Sequence, residues 1–259
     1  MIVGTTMFSV IRSSVQRNLN RSIATSLIKA KEIDPTQEAS LKEQCYLVDV
    51  NDNIIGQASK KECHLVQKNG DIPLHRAFSV FLFNKKGDLL LQKRSSSKIR
   101  YPEHYTNSCC EHPIADCPGE NEENNAFGVK RAAIRRLHYE LGIEKETIPL
   151  EKFVYITRMY HKDEGDGKWG DHEICYILFL HIDIKIKPGL KPNSDEVSEI
   201  SFVPRNALDQ HLPTLIGQFT PWFQAILKHR LKLWWDHLHK LDEIVEHNRI
   251  QKLPVCCDQ

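Results

Sequence analysis

The chain of 259 residues carries 35 Lys and Arg against 34 Asp and Glu, a net charge of +1. It therefore lacks the basic excess of a dedicated nucleic-acid binder, and it has no apolar run of roughly 18 residues, the length a membrane-spanning helix needs. Hydrophobic residues make up 41%, enough for one large domain with extensions. Eight cysteines are present, two pairs of them vicinal (Cys109-Cys110 and Cys256-Cys257). Without paired CxxC motifs they do not read as a structural zinc module, and a reducing compartment suits them better.

Residues 1–31 hold Arg12, Arg17, Arg21, Lys29 and Lys31, with no acid before Glu32 and with apolar residues near helical spacing. That is the pattern of a mitochondrial targeting segment; cytosol and peroxisome are the alternatives, although the terminal Cys256-Cys-Asp-Gln259 is no peroxisomal tripeptide. Residues 32–43 are polar. Tyr46–Val50, a turn at Asn51–Asn53 and Ile54–Gly56 read as strand, turn, strand, followed by a short helix near 58–66. Ala77–Phe83, the turn Asn84–Gly87 and Leu89–Arg94 predict a buried hairpin. Residues 95–124 predict a long loop, and long loops in compact domains are often functional. A helix is expected over 125–141, ended by Gly142. Strands are expected at Phe153–Tyr160, Glu173–Ile184 and Ile200–Val203, and helices over 205–212 and 221–248. The tail after Leu253 predicts disorder. Without a regular βαβ rhythm, a mixed-sheet α/β (α+β) domain is expected.

Three segments carry chemistry. In Thr106-Asn-Ser-Cys-Cys-Glu-His-Pro113, Cys110 and His112 fall in what reads as a polar loop, where a thiol can serve as nucleophile, base or ligand. In Trp169-Gly-Asp-His-Glu-Ile-Cys175, Asp171 and Glu173 alternate onto one face of a strand. Two such carboxylates repel unless a cation or shared proton holds them. With His64, His75 and His112 they can complete a metal site of mixed imidazole and carboxylate, suited to a divalent transition metal or Zn²⁺. The third segment, Arg135-Arg-Leu-His-Tyr-Glu-Leu-Gly-Ile143, is similar to the second half of the Nudix box. Arg135, Glu140 and Gly142 match; Arg136 and Tyr139 replace glutamates, and Asn121 and Phe127 replace the upstream Gly and Glu. The carboxylate cluster that would hold several ions and activate water is largely missing, leaving Glu140 for one Mg²⁺. Lys60, Arg94, Lys98 and Arg136 can clamp a diphosphate.

Taken in order, His75–Phe83, Leu89–Arg94, Thr106–Pro113, Arg135–Gly142, Trp169–Ile174 and Thr220-Pro-Trp222 resemble the type I isopentenyl-diphosphate isomerases over roughly residues 44–250. The resemblance implies a Nudix-type fold with mixed β-sheets packed between helices. It implies Cys110 and Glu173 as acid and base on opposite faces of an alkene, with Tyr160 hydrogen-bonded to the glutamate and Trp222 facing the reacting carbon. It implies metal ligation by His64, His75, His112, Asp171 and Glu173, a Mg²⁺ at Glu140, and diphosphate contacts from Lys60, Arg94, Lys98 and Arg136. The substrate implied is a small isoprenoid diphosphate, turned over by a monomer without nucleic-acid or membrane partners. The chain departs from the family at Asp171, usually glutamate, at Glu111, usually a small residue, and in a longer loop from Pro113 to Asn125. A Nudix hydrolase is the rival reading, disfavoured by Arg136 and Tyr139. A catalytically dead binding protein is disfavoured by the complete set Cys110, Glu173, Tyr160 and Trp222.

Overall fold

The computed structural model describes residues 33–184, 189–210, 212 and 218–253. The proposed targeting segment and the tail from residue 254 lie outside the described residues. Every element below belongs to the unit that begins at Pro35. In chain order they are α1 (Pro35–Ser40), β1 (Gln44–Val48), β2 (Ile54–Ser59), α2 (Lys60–His64), β3 (His75–Phe83), β4 (Leu89–Arg94), β5 (Tyr105–Thr106), β6 (Cys109–Glu111), α3 (Phe127–Leu141), β7 (Phe153–Asp163), β8 (Asp171–His181), β9 (Val197–Val203), α4 (Ala207–Gln210), α5 (Pro221–Ile226), a π-helical turn (Leu227–Leu231), α6 (Lys232–Asp236) and β10 (Glu246–Lys252).

The strands form one ten-stranded mixed sheet with the path β10-β7-β8-β3-β1-β2, and β4, β5, β6 and β9 branch from it through β3 and β4. β3 runs parallel to β8 and β10 parallel to β7, while β7 and β8 are antiparallel. β3 is apolar on both faces and buried at every residue, as a central strand covered on both sides must be. On one side its Phe78, Val80 and Leu82 pack with Val129, Ala132, Leu137 and Leu141 of α3. On the other, Phe81 and Phe83 pack with Phe223, Ile226, Leu231, Trp234 and Trp235 of the C-terminal helical segment. Truncating a fully buried side chain such as Leu137 to alanine would cost about 2–5 kcal/mol.

Local chemistry fixes the ends of the elements that reach the site. Ser59 and Glu62 form a capping box that starts α2 and leaves His64 at its end. Gly142 ends α3 with φ +66°, and a Cβ there would lie 2.8 Å from Lys191 atoms, so glycine is required on both counts. The 84–87 turn closes the expected hairpin, with Gly87 N–H donating to Asn84 O (2.8 Å).

Two expectations need correction. The 95–124 stretch is not all loop: β5 and β6 form in it, and Cys110 sits on β6, paired with Ser79 of β3. The 221–248 helix ends at Asp236, and residues 246–252 instead add a parallel strand beside β7. Thr157 Oγ1 anchors that strand by donating to Glu246 O (3.0 Å).

Candidate active site

Strand alternation builds one wall of the main cavity, of volume ≈ 570 Å³. His75 lies opposite Glu173, Ala77 opposite Cys175 and Ser79 opposite Ile177 across β3 and β8. Cys110 joins that face opposite Ser79. Met159 and His161 join it from β7, opposite Cys175 and Glu173. Residues at every second position share a face, so the sheet side that packs on the C-terminal helices becomes reactive where those helices stop covering it.

The structure gathers four of the predicted ligands. His64, His75, His112 and Glu173 offer ligand atoms within 4.8 Å of one another. Each ring presents Nδ1 to an outer acceptor: Gly170 O for His64 (2.9 Å), Pro73 O for His75 (2.9 Å) and a Glu111 carboxylate oxygen for His112 (2.6 Å). That leaves each Nε2 for the centre, the arrangement by which outer partners orient metal-binding imidazoles. His75 is fully buried, and its Nε2 has no hydrogen-bond partner. An orphaned buried nitrogen facing two imidazoles and a carboxylate fits a divalent cation. Burial acts to raise the Glu173 carboxyl, but His112 and His75 outweigh it and hold it well below the usual range.

Asp171, expected as a fifth ligand, is placed elsewhere. Its two oxygens accept a bidentate pair from Arg100, and Oδ1 lies 3.1 Å from His64 Nδ1. It acts as an outer partner of His64. Arg100, which the sequence reading missed, is brought down to about 10 by burial.

Tyr160 is also displaced from its expected role. Its hydroxyl pairs with His172 Nε2 (2.8 Å), not with Glu173, and it lies opposite Ile174. It still borders the cavity. The residue opposite Glu173 is His161, whose buried Nε2 is unpartnered and whose ring lies 6.3 Å from that of Trp222. The cause is a bulge in β7: Tyr155 pairs with Leu178 but Thr157 with Ile177, so Ile156 is extra. Continuing the register before the bulge would have set Tyr160 against Glu173. One extra residue exchanges the two faces.

Cys110 and Trp222 share an anchor that the sequence reading also missed. Asn107, fully buried, accepts at Oδ1 from Cys110 Sγ (3.0 Å), Thr106 Oγ1 (3.1 Å) and Trp222 Nε1 (3.3 Å). Its Nδ2 donates to Val80 O and Cys109 O, both at 3.0 Å. Burial pushes the Cys110 thiol up to about 11, against the pull of the Ser79 hydroxyl and the Arg94 guanidinium. The Trp222 ring carries the Arg94 and Arg100 guanidinium groups at 5.6 and 5.9 Å.

The predicted diphosphate contacts converge, but each already has partners. Lys60 Nζ pairs with Glu43 (2.9 Å) and Glu111 (2.7 Å), and Lys98 Nζ with Glu196 (2.7 Å). Burial would lower the Lys60 ammonium, but Glu111 and Glu43 hold it above the usual range. Arg136 bridges Glu140 (2.9 Å), Glu111 (3.3 Å) and Glu196 (3.3 Å). Arg94 donates to Arg100 O (2.8 Å) and Tyr101 O (3.2 Å). Lys60, Arg94 and Lys98 line the cavity, whereas Arg136 and Glu140 lie behind its wall. Glu43 and Glu196, distant in sequence from every motif, gave no signal there.

Comparison with known proteins gives the family and the fold. The NUDIX domain model matches residues 73–223. The chain is 45% identical over 229 residues to "Isopentenyl-diphosphate Delta-isomerase 1" of Mus musculus, covering 87% of this chain and 99% of the relative. It is 42% identical over 220 residues to "Isopentenyl-diphosphate Delta-isomerase I, chloroplastic" of Arabidopsis thaliana, covering 82% and 74%. A solved structure of DR0079 from Deinococcus radiodurans superposes with TM-score 0.50 at 16% identity, covering 73% of this chain and 99% of that one; at that identity the likeness shows the fold alone. Among the described residues, no helix is long and apolar enough to cross a membrane.

Proposed function

Because the chain belongs to the NUDIX family and, within it, to the isopentenyl-diphosphate Delta-isomerases, we propose that its cavity interconverts isopentenyl and dimethylallyl diphosphate, with Cys110 and Glu173 exchanging protons with the five-carbon unit. The observation that carries the reading is the convergence of a thiol and a carboxylate from one sheet face on a single cavity, beside the Trp222 indole.

An alkene is a weak base, so its protonation needs an acid held away from water. Addition of a proton to the terminal carbon leaves a tertiary carbocation, and loss of a proton from the neighbouring carbon gives the isomer. One of Cys110 Sγ and the Glu173 carboxyl gives the proton, and the other takes one from the opposite face of the substrate. The roles exchange when the reaction runs backward. The indole face of Trp222 stabilises the cation by about 2 kcal/mol in a desolvated site, and Asn107 holds that ring and the Cys110 thiol on one oxygen.

Lys60, Arg94 and Lys98 take the diphosphate, exchanging carboxylate and carbonyl partners for phosphate oxygens, and Arg136 adds its charge from behind the wall, taking up the Glu111 and Glu196 carboxylates they release. A divalent ion (Zn²⁺, Mn²⁺ or Mg²⁺) held by His64, His75, His112 and Glu173 would supply Lewis acidity beside the Glu173 carboxyl, and a Mg²⁺ near Glu140 would neutralise diphosphate charge. Asp171 and Tyr160 support the site from outside, through His64 and His172. Arg136 and Tyr139, standing where a Nudix hydrolase carries glutamates, disfavour hydrolysis.

The test is conversion of isopentenyl diphosphate to an acid-labile allylic diphosphate with Mg²⁺ and Zn²⁺ or Mn²⁺ supplied. Loss of conversion in Cys110→Ala and in Glu173→Gln is expected. Near-full turnover in either variant, or phosphate release from nucleoside diphosphates without isomerisation, would reject the reading.

On their arginine-rich, acid-free composition, residues 1–31 are proposed as a mitochondrial targeting segment. A fluorescent fusion that stays cytosolic or enters peroxisomes would reject that. The enzyme is proposed to act as a monomer, to be checked by sedimentation.

A further inference from the structure

Glu111 follows Cys110 on β6, so alternation turns it to the side of the strand opposite the thiol. It is 7% exposed. Oε1 accepts from His112 Nδ1 (2.6 Å) and His112 N (3.2 Å) and lies 2.7 Å from Lys60 Nζ; Oε2 lies 3.3 Å from Arg136 Nη2. Three of these four contacts crowd Oε1, which has two lone pairs, and one stands at Oε2.

We propose that Glu111 is a positioning residue shared by the two halves of the site, fixing a metal-binding imidazole with one contact and the resting places of two diphosphate-binding cations with the others. The inference rests on the metal centre and diphosphate cradle proposed above.

Three features support it. An ionised carboxylate only accepts, so the proton of His112 is kept on Nδ1, and the Nε2 lone pair is aimed at the space shared with His64, His75 and Glu173. The Lys60 ammonium stands 2.7 Å from Oε1 and the Arg136 guanidinium 3.3 Å from Oε2, so each carboxylate oxygen faces a cation. Lys60 and Arg136 come from α2 and α3, on separate parts of the chain, and Glu111 is a carboxylate that both of them contact. No other side chain with ion pairs among the described residues touches both a ligand of the metal group and two of the cradle's cations. Outer partners of metal-bound histidines typically contribute 10–100-fold to metal affinity.

The test uses the full chain stripped of metal by chelation and titrated with Co²⁺, read from the visible absorption of the bound ion, alongside steady-state kinetics. Glu111→Ala is expected to weaken Co²⁺ binding about 10–100-fold and to alter the spectrum. Glu111→Gln keeps an oxygen that can accept from Nδ1 and should recover Co²⁺ affinity to within about threefold, while its KM for isopentenyl diphosphate shifts at least about threefold because Lys60 and Arg136 lose a counter-charge. A packing role alone would lower thermal stability without separating the two variants. Wild-type Co²⁺ affinity and spectrum in Glu111→Ala, with both lost in His112→Ala, would overturn the inference and leave the metal centre standing. Unchanged Co²⁺ binding in His112→Ala would remove the centre on which it rests. If Glu111→Ala does not fold, Glu111→Gln decides: an unchanged KM, or a Co²⁺ affinity as weak as that of His112→Ala, overturns the proposal.

Discussion

Replacing Asn107 by alanine tests whether one buried oxygen sets the geometry of both Cys110 and Trp222. The substitution removes an acceptor shared by a thiol, a hydroxyl and an indole N–H, and a donor to two backbone carbonyls. Some partners have alternatives: Val80 O keeps the Ser108 N–H (3.1 Å), and Thr106 Oγ1 keeps Thr220 Oγ1 (3.0 Å). The indole N–H of half-buried Trp222 loses an acceptor that is itself fully buried, which costs about 1–3 kcal/mol, and the remaining bonds add about 1 kcal/mol net. A stability loss of about 2–4 kcal/mol in urea unfolding is therefore expected. The thiol and the ring would also drift relative to each other, and a displacement of about 1 Å costs about a hundredfold in rate. Because Lys60, Arg94 and Lys98 are untouched, KM should move little while kcat falls about a hundredfold. A folded Asn107→Ala enzyme with kcat within about threefold of wild type would refute the reasoning, since orientation by this oxygen would then contribute less than about 1 kcal/mol.

Tyr160→Phe, which removes a hydroxyl bound to His172, should leave kcat within about threefold, whereas His161→Ala, opposite Glu173, should lower it tenfold or more; equal effects in steady-state assays would contradict the assignment of faces. Asp52 accepts from Arg76 Nε (2.9 Å), Arg158 Nη1 (3.1 Å) and the Tyr176 hydroxyl, so Asp52→Asn should destabilise by about 3–5 kcal/mol, leaving buried Arg76 with only the exposed Glu123 carboxylate at 3.5 Å; a chevron or urea titration checks this. Burial holds the Cys110 thiol up to about 11, and only the thiolate is alkylated. In the metal-free protein, the Cys110-specific rate, taken as the difference from Cys110→Ala, should rise about tenfold per pH unit from pH 8 to 10 with no plateau near 8.5; a plateau there would show that burial does not hold the thiol protonated.

Much of the fold was legible because it depends on local patterning. The 84–87 turn between apolar runs, the Gly142 stop after an amphipathic stretch and the apolar continuity of Ala77–Phe83 each point to one local structure, and each formed. Residues that gather around Glu173 were legible as types: histidines and carboxylates in short motifs. Which of them point inward was not. Asp171 has the same strand parity as Glu173, yet Arg100 holds it from a loop whose Tyr101 and Glu103 take positive φ, and such a path cannot be read from residue types. Glu196 and Gln37 join the cradle from parts of the chain 159 residues apart, with Gln37 Nε2 donating to Glu196 Oε1 at 3.2 Å. β10 carries polar residues with no alternation and forms through tertiary pairing with β7, which is why its first residues, 246–248, were read as the end of a helix and the rest as no element.

The extra residue at Ile156 has an evolutionary consequence. Neighbouring side chains on β7, a phenol and an imidazole, stand as candidates for one place in the cavity, and the choice between them is made by a length difference several residues upstream. A lineage could exchange one for the other by an insertion or deletion at the bulge, with no change of residue at the site itself. Alignments that count substitutions column by column would misassign such an event, recording conservation of a tyrosine that no longer stands opposite the carboxylate.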